Sequence, residues 1–207
     1  ARMRQLIVES TCELRLCVAR MTEESKALVT TLSAEVREYR KRLDEAERVS
    51  NTDPLTELAN RRAFEKHLEG RIAAGKPFSL IMVDLDCFKE VNDRYGHVAG
   101  DDLLRQFAAE LKAQFNIWDL VGRLGGDEFV AVTAATSDEC ALRADRIQKY
   151  ALGDYKIMHD GHTAKVSLSA SIGVATWDGR EALLDLMARV DAEVYGAKRS
   201  GERRRLR

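Results

Sequence analysis

Apolar residues in the first quarter of the chain recur at helical spacing. Val29, Leu32, Val36, Tyr39, Leu43 and Ala46 step by three and four residues in turn, the seam of a coiled coil. Upstream, Ile7, Leu14, Met21 and Leu28 keep a spacing of seven, offset by one residue from Val29, Val36 and Leu43. A stutter of this kind changes the local winding of a coil, so the seam offers two registers. No Gly or Pro occurs before Pro54, and a breaker-free stretch of this length favours continuous helix. A dimeric coiled coil is preferred to a single amphipathic helix packed on its own domain, because no long apolar face remains for a monomer to cover.

The cluster Ser50-Asn51-Thr52-Asp53-Pro54 ends that helix, and the pattern then alternates. The spacing predicts a helix over Ala59–Ala74, a buried strand at Phe78–Asp84 and an amphipathic helix over Leu103–Phe115. Leu120–Leu124 and Glu128–Thr133 flank a Gly-Gly pair and read as a hairpin. A helix over Ser137–Leu152, a strand over Ala164–Thr176 and a last helix over Ala182–Lys198 complete the series. Helices mixed with one mostly antiparallel sheet make an α+β domain. The expected division is a helical stalk at 1–51 and one domain at 52–207.

Composition narrows the function classes. The 207 residues carry 33 Lys+Arg against 34 Asp+Glu, a net charge of −1. That balance gives no general attraction to nucleic acid or to an anionic membrane. The apolar stretch around Leu80–Val83 falls far short of the ~18 residues of a membrane span. The opening Ala-Arg-Met-Arg lacks both a signal segment and an initiating Met, so a piece of a longer cytoplasmic protein is expected, with a sensory domain upstream. Cys12, Cys17, Cys87 and Cys140 form no C-x-x-C pair, and none lies near two His at zinc spacing. The six Lys and Arg of 198–207 form a basic tail whose default reading is a solvated terminus.

Two acidic clusters carry the candidate chemistry. Asp84-Leu85-Asp86 closes the apolar strand, and Asp127-Glu128 follows Gly125-Gly126. A carboxylate at the end of a buried strand is costly unless a cation compensates it. If strand and hairpin are neighbours, Asp84 and Asp127 converge on a hard divalent ion, and Mg²⁺ suits a site with few carboxylates completed by water and phosphate. Acidic turns beside Gly are also common, so this pattern leaves a plain surface turn open.

The fuller series of motifs resembles one family. Gly125-Gly126-Asp127-Glu128-Phe129 is the signature of the GGDEF domains, the diguanylate cyclases. Asp53-Pro54-Leu55-Thr56 with Asn60-Arg61-Arg62 resembles that family's opening motif, and Asp84-Leu85-Asp86-Cys87-Phe88-Lys89 its first metal loop. Asn92-Asp93-Arg94-Tyr95-Gly96-His97 and Gly100-Asp101 resemble its guanine-binding stretch, and Ser171-Ile172-Gly173-Val174-Ala175 its late strand. The resemblance spans about 52–204 with the motifs in order.

It implies a palm-like nucleotide-cyclase domain that condenses two GTP into cyclic di-GMP and two pyrophosphates. Asp84, Asp127 and the Leu85 carbonyl would hold Mg²⁺, two ions per site being expected and Mn²⁺ an alternative. Glu128 would assist the metal or deprotonate the attacking 3′-hydroxyl. Asn92 and Asp101 would read the guanine edge, while Lys89, Lys198 and the main chain of Cys87 and Phe88 would hold the phosphates. His97 is expected to be structural. Two domains must face each other, which gives a homodimeric coiled coil its purpose.

Three departures stand out. The family's inhibitory R-x-x-D window reads Asn116-Ile117-Trp118-Asp119, without its Arg. Weak product inhibition is therefore expected, with Arg123 as a candidate contributor. Glu202 stands where a phosphate-binding Arg is common, leaving Arg203 or Arg204 as substitutes. Asp101, rather than Ser, favours GTP over mixed purine substrates.

Overall fold

The computed structural model describes residues 20–42, apart from 22, 24, 27 and 28, and residues 50–205, with side chains through 200. The chain divides into two compact units, Ala1–Ser50 and Asn51–Arg207. In the first unit, residues 29–42 are helical and Val29, Leu32, Val36 and Tyr39 are all exposed. The seam positions Ile7, Leu14, Leu28, Leu43 and Ala46, and Cys12 and Cys17, lie outside the described residues.

The second unit opens with a two-residue strand, β1 (Ala59–Asn60), and then α1 (Arg61–Ala73). The helix expected from Ala59 thus begins two residues later, because Asn60 serves as its cap: the side-chain oxygen accepts from Ala63 N at 3.0 Å. β2 (Phe78–Leu85) leads to α2 (Phe88–Ala113), followed by the hairpin β3 (Leu120–Gly125) and β4 (Glu128–Thr133). α3 (Ser137–Arg146) starts in a capping box between Thr136 and Glu139 and runs into one π turn at Ile147–Ala151. β5 (Gly153–His159), β6 (His162–Leu168), β7 (Ala170–Trp177) and α4 (Leu183–Arg205) complete the unit.

Five strands form one sheet in the order β1-β3-β4-β2-β7, with β1 parallel to β3 and the other pairs antiparallel. β2 is its buried spine, and its alternate residues enter two cores. Ile81, Val83 and Leu85 face Leu103, Phe107 and Leu111 of α2, where Phe107 meets Phe129 edge to face at 4.9 Å. Phe78, Leu80 and Met82 face Phe64 and Leu68 of α1 and Leu186, Val190 and Val194 of α4. Since side chains alternate with a period of two, a one-residue slip of β2 would exchange the two cores. The register therefore fixes Asp84 opposite Glu128 of β4 and Ser171 of β7.

Two expected elements are corrected. The strand read over Ala164–Thr176 is two strands of different sheets: β6 pairs only with the unexpected β5, and β7 joins the main sheet. The helix expected from Leu103 begins at Phe88 and is broken at Gly96, whose φ of 81° and ψ of 159° no helix accommodates.

Candidate active site

The acidic candidates of the sequence gather at one end of β2. Asp84 leaves the strand beside the β3–β4 turn, and Leu85 N donates to the Asp127 carbonyl at 3.2 Å. That turn has two central residues, and only the first, Gly126, has a positive φ, at 53°. This is the type II′ requirement and explains the Gly. Asp127 and Glu128 follow at once, so the strand and the hairpin do converge.

Asp84 is held by charge. Its side chain is 16% exposed, and Oδ1 lies 2.7 Å from Lys198 Nζ, reached from α4. That oxygen is itself buried, and its close partner is this ammonium. Burial pushes the Asp84 carboxyl above its ordinary range. Lys198 opposes that shift, while repulsion from Asp127 and Asp86 adds to it. Burial alone would lower the Lys198 ammonium, but the same three carboxylates carry it upward. A buried carboxylate oxygen that takes a cation as its partner and lies beside a second carboxylate fits a hard divalent cation. Among the described residues no group of three or more His, Cys, Asp or Glu is arranged to hold a metal. The donor set thus suits an ion that keeps water and phosphate ligands better than an all-protein cage.

Asp86 points elsewhere. Its carboxylate accepts from Ser169 Oγ at 2.9 Å and Ser171 Oγ at 2.8 Å, which ties the loop after β2 to β7. Next comes Cys87 at φ 56°, a left-handed residue other than Gly and so a strained one. It turns the chain into α2, whose first amides follow directly at Phe88 and Lys89, while that of Glu90 already donates to the Cys87 carbonyl at 2.9 Å. Open amides at a helix start favour an anion. Phe88 is buried and anchors the turn, whereas Lys89 is exposed.

The break at Gly96 lies between the two guanine-reading candidates. Asn92 lies before it and Asp101 after it, both half-buried. Asn92 Oδ1 sits so close to Gly100 that a Cβ there would lie 2.0 Å away. Only Gly lets these helix segments meet in this way. His97 is exposed on the same stretch.

The sequence reading missed the clamp behind the hairpin. Arg123 Nε and Nη2 donate to the Gly126 carbonyl at 2.9 and 2.7 Å, and Nη1 donates to Asp53 Oδ1 at 3.1 Å. Asp53 also accepts from Thr56 N and Oγ1. Its burial would raise its carboxyl, but Thr56 and Arg123 together hold it below the usual range. Arg61 Nε donates to the Leu124 carbonyl at 3.3 Å, with its guanidinium 3.7 Å from Glu128. Asp53 and Arg61 stand in the motif 53–62, where the signal lay; Ser169 had none beyond strand register.

The inhibitory window is changed further than its sequence implied. Asp119, 7% exposed, pairs with Arg143 of α3 at 2.6 Å and accepts from Asn116 N at 2.9 Å. Arg123, proposed to stand in for the missing Arg, is 11% exposed and turned to Asp53 and Gly126 instead. Ile117 and Trp118 project into solvent at 89% exposure each. The side chains of Glu202, Arg203 and Arg204 lie outside the described ones.

These features define an α+β domain with two carboxylates, Asp84 and Asp127, at the end of its buried strand β2. The chain belongs to the family described as "Diguanylate cyclase, GGDEF domain", which it matches over residues 50–204. It is 32% identical over 180 residues to the diguanylate cyclase DgcP of Pseudomonas aeruginosa, covering 85% of this chain and 26% of that protein. It is 36% identical over 170 residues to the response regulator PleD of Caulobacter vibrioides, covering 78% and 37%. The chain therefore spans well under half the length of these relatives. A crystal structure of the coiled coil and GGDEF domain of DgcB from Caulobacter crescentus with c-di-GMP superposes with a TM-score of 0.76 at 28% identity. It covers 85% of this chain and 95% of that one.

Proposed function

We propose that this chain is a diguanylate cyclase, converting two GTP into cyclic di-GMP and two pyrophosphates. The observation that carries the reading is the buried Oδ1 of Asp84, charge-paired with Lys198 and set opposite Glu128 and beside Asp127. Asp84, Asp127 and the Leu85 carbonyl would hold Mg²⁺, two ions per site. When bound, the metal neutralises charge on the reacting phosphate and the leaving pyrophosphate. Asn92 and Asp101 take the guanine edge, an amide and a carboxylate matching its N–H groups and ring acceptors. Lys89, Lys198 and the first amides of α2 hold the phosphates. Glu128 receives the proton of the attacking 3′-hydroxyl. That oxygen forms a bond to the α-phosphorus of the other GTP, and the bond to pyrophosphate breaks.

Each domain supplies one such half-site, so two domains must face each other. The exposed seam Val29, Leu32, Val36 and Tyr39 supports a homodimeric coiled coil as the means. Longer relatives support an upstream sensory domain acting through that coil. GTP as substrate supports a cytoplasmic setting, and no helix among the described residues is long and apolar enough to cross a membrane. Asp119 paired to Arg143, with Asn116 in place of Arg, supports weak product inhibition.

Pyrophosphate release from GTP with Mg²⁺ tests the reading. Release is expected from the unmutated chain, with GTP preferred to ATP, and a loss of at least about 100-fold in Asp127→Ala. Equal release from ATP, or from Asp127→Ala, would overturn it.

A further inference from the structure

The face of α4 that packs on β7 is formed by Val190 and Val194, and at the next helical step, Lys198, it turns cationic. The contact is backbone-close. A Cβ on Gly173 would lie 2.5 Å from the Val190 carbonyl and 2.9 Å from Val194 N. This closeness brings Lys198 within 2.7 Å of Asp84 Oδ1 on the neighbouring strand β2. The ammonium compensates the carboxylate that the metal would need, yet it remains 40% exposed on a flexible stem.

A lysine in that position spends its charge on Asp84 rather than on a phosphate. A divalent cation on Asp84 would meet a like charge on the same carboxylate, and that repulsion is strong in a half-buried site. We propose that Lys198 is a resident counter-cation of the metal seat, which nucleotide phosphate draws away, so that divalent cation and nucleotide bind cooperatively. The proposal rests on the reading of this site as one for GTP and metal. Lys198 has two partners, Asp84 in the empty site and phosphate in the loaded one, and each ligand favours the second arrangement. By linkage, nucleotide strengthens metal binding by the same factor as metal strengthens nucleotide binding. Without the ammonium, the empty site takes metal more readily and gains less from nucleotide.

The test is equilibrium Mn²⁺ binding to the whole chain without nucleotide, read from the electron paramagnetic resonance signal of free Mn²⁺. Lys198→Met should bind Mn²⁺ about tenfold more tightly than the unmutated chain, a coupling of ordinary size. Lys198→Gln should do the same, and Lys198→Arg, which keeps the charge, should not. A GTP analogue that cannot be cleaved at the α-phosphate should strengthen Mn²⁺ binding less in Lys198→Met, by about the same factor. Unchanged or weaker Mn²⁺ binding by both Lys198→Met and Lys198→Gln, each shown folded by its melting transition, would overturn the proposal. If Asp127→Ala still abolishes Mn²⁺ binding in that case, the metal site itself stands. If Asp127→Ala has no effect either, the reading of the site falls as well.

Discussion

Replacing Gly100 by Ala should impair nucleotide binding with little effect on the fold. The added methyl would sit 2.0 Å from Asn92 Oδ1, 3.1 Å from its Cγ and 3.3 Å from Phe88 Cζ. The ring can yield by a few tenths of an ångström, but Asn92 must retreat by about 1.4 Å to reach ordinary contact at 3.4 Å. Its amide is the free end of a short side chain, so it changes rotamer and the backbone stays. Ala also gains about 1 kcal/mol of helix propensity over Gly, which offsets the crowding. The melting temperature should therefore stay within roughly 3 °C of the unmutated chain. Asn92 then no longer meets guanine, at about 1–3 kcal/mol for one or two lost hydrogen bonds with a partner left unpaired. The KM for GTP should rise roughly 5- to 150-fold. Steady-state kinetics on GTP beside thermal melting reads both effects. Asn92→Ala should give a similar KM, and the double variant should be no worse than either single one. A folded Gly100→Ala with unchanged KM, or an additive double variant, would refute the placement of Asn92 against guanine.

Removing the hairpin clamp should cost both stability and activity. Arg123→Met strips two donors from the Gly126 carbonyl and the partner from Asp53, at about 2–3 kcal/mol, seen as a fall of roughly 4–12 °C in melting temperature. Activity should fall further than unfolding explains, because Asp127 follows the released carbonyl; full activity at 25 °C would contradict this. Acid should unfold the domain partly through Asp53 and Asp119. Burial would raise the Asp119 carboxyl, but Thr133, Arg143 and Asn116 hold it below its usual range, as Thr56 and Arg123 do for Asp53. Both contributions are complete above about pH 4, where unfolded carboxyls titrate, and are lost as pH falls through the lower folded values. Asp119→Asn should flatten that acid limb in denaturant titrations across pH. Gly173→Ala, which drives Cβ into the Val190 carbonyl, should destabilise by about 3 kcal/mol or more. Gly196→Ala on α4, with nothing within 4 Å, should stabilise by up to about 1 kcal/mol; the opposite ranking in chemical denaturation would contradict the packing of α4 on β7.

The elements most legible in the sequence are those whose pattern and packing agree. β2 reads as a buried strand because both its faces meet cores, and the β3–β4 hairpin reads from its Gly-Gly turn. The β5–β6 pair escaped because Gly153–His159 is short on apolar residues: only Tyr155 and Ile157 are buried, and the exposed Met158 beside Ile157 breaks the alternation of residue types. β6 and β7 looked continuous because the chain passes between two sheets at Ser169 with neither Gly nor Pro to mark it. The first part of α2 has two Gly and few apolar residues, so its helix is set by tertiary contacts such as Phe88 in the core. Asp84, Asp127 and Glu128 were visible as acidic clusters. That Arg123 clamps the hairpin and Lys198 faces Asp84 depends on register and helix placement, which residue types alone do not carry.

On this reading the site makes a cyclic dinucleotide. Mass spectrometry of the products formed from GTP and Mg²⁺ by the whole chain at high protein concentration tests it most directly. Cyclic di-GMP should accumulate with two pyrophosphates per molecule and vanish in Asp127→Ala. Guanine nucleotide bound but recovered unchanged would contradict the claim and leave a binding module in place of an enzyme.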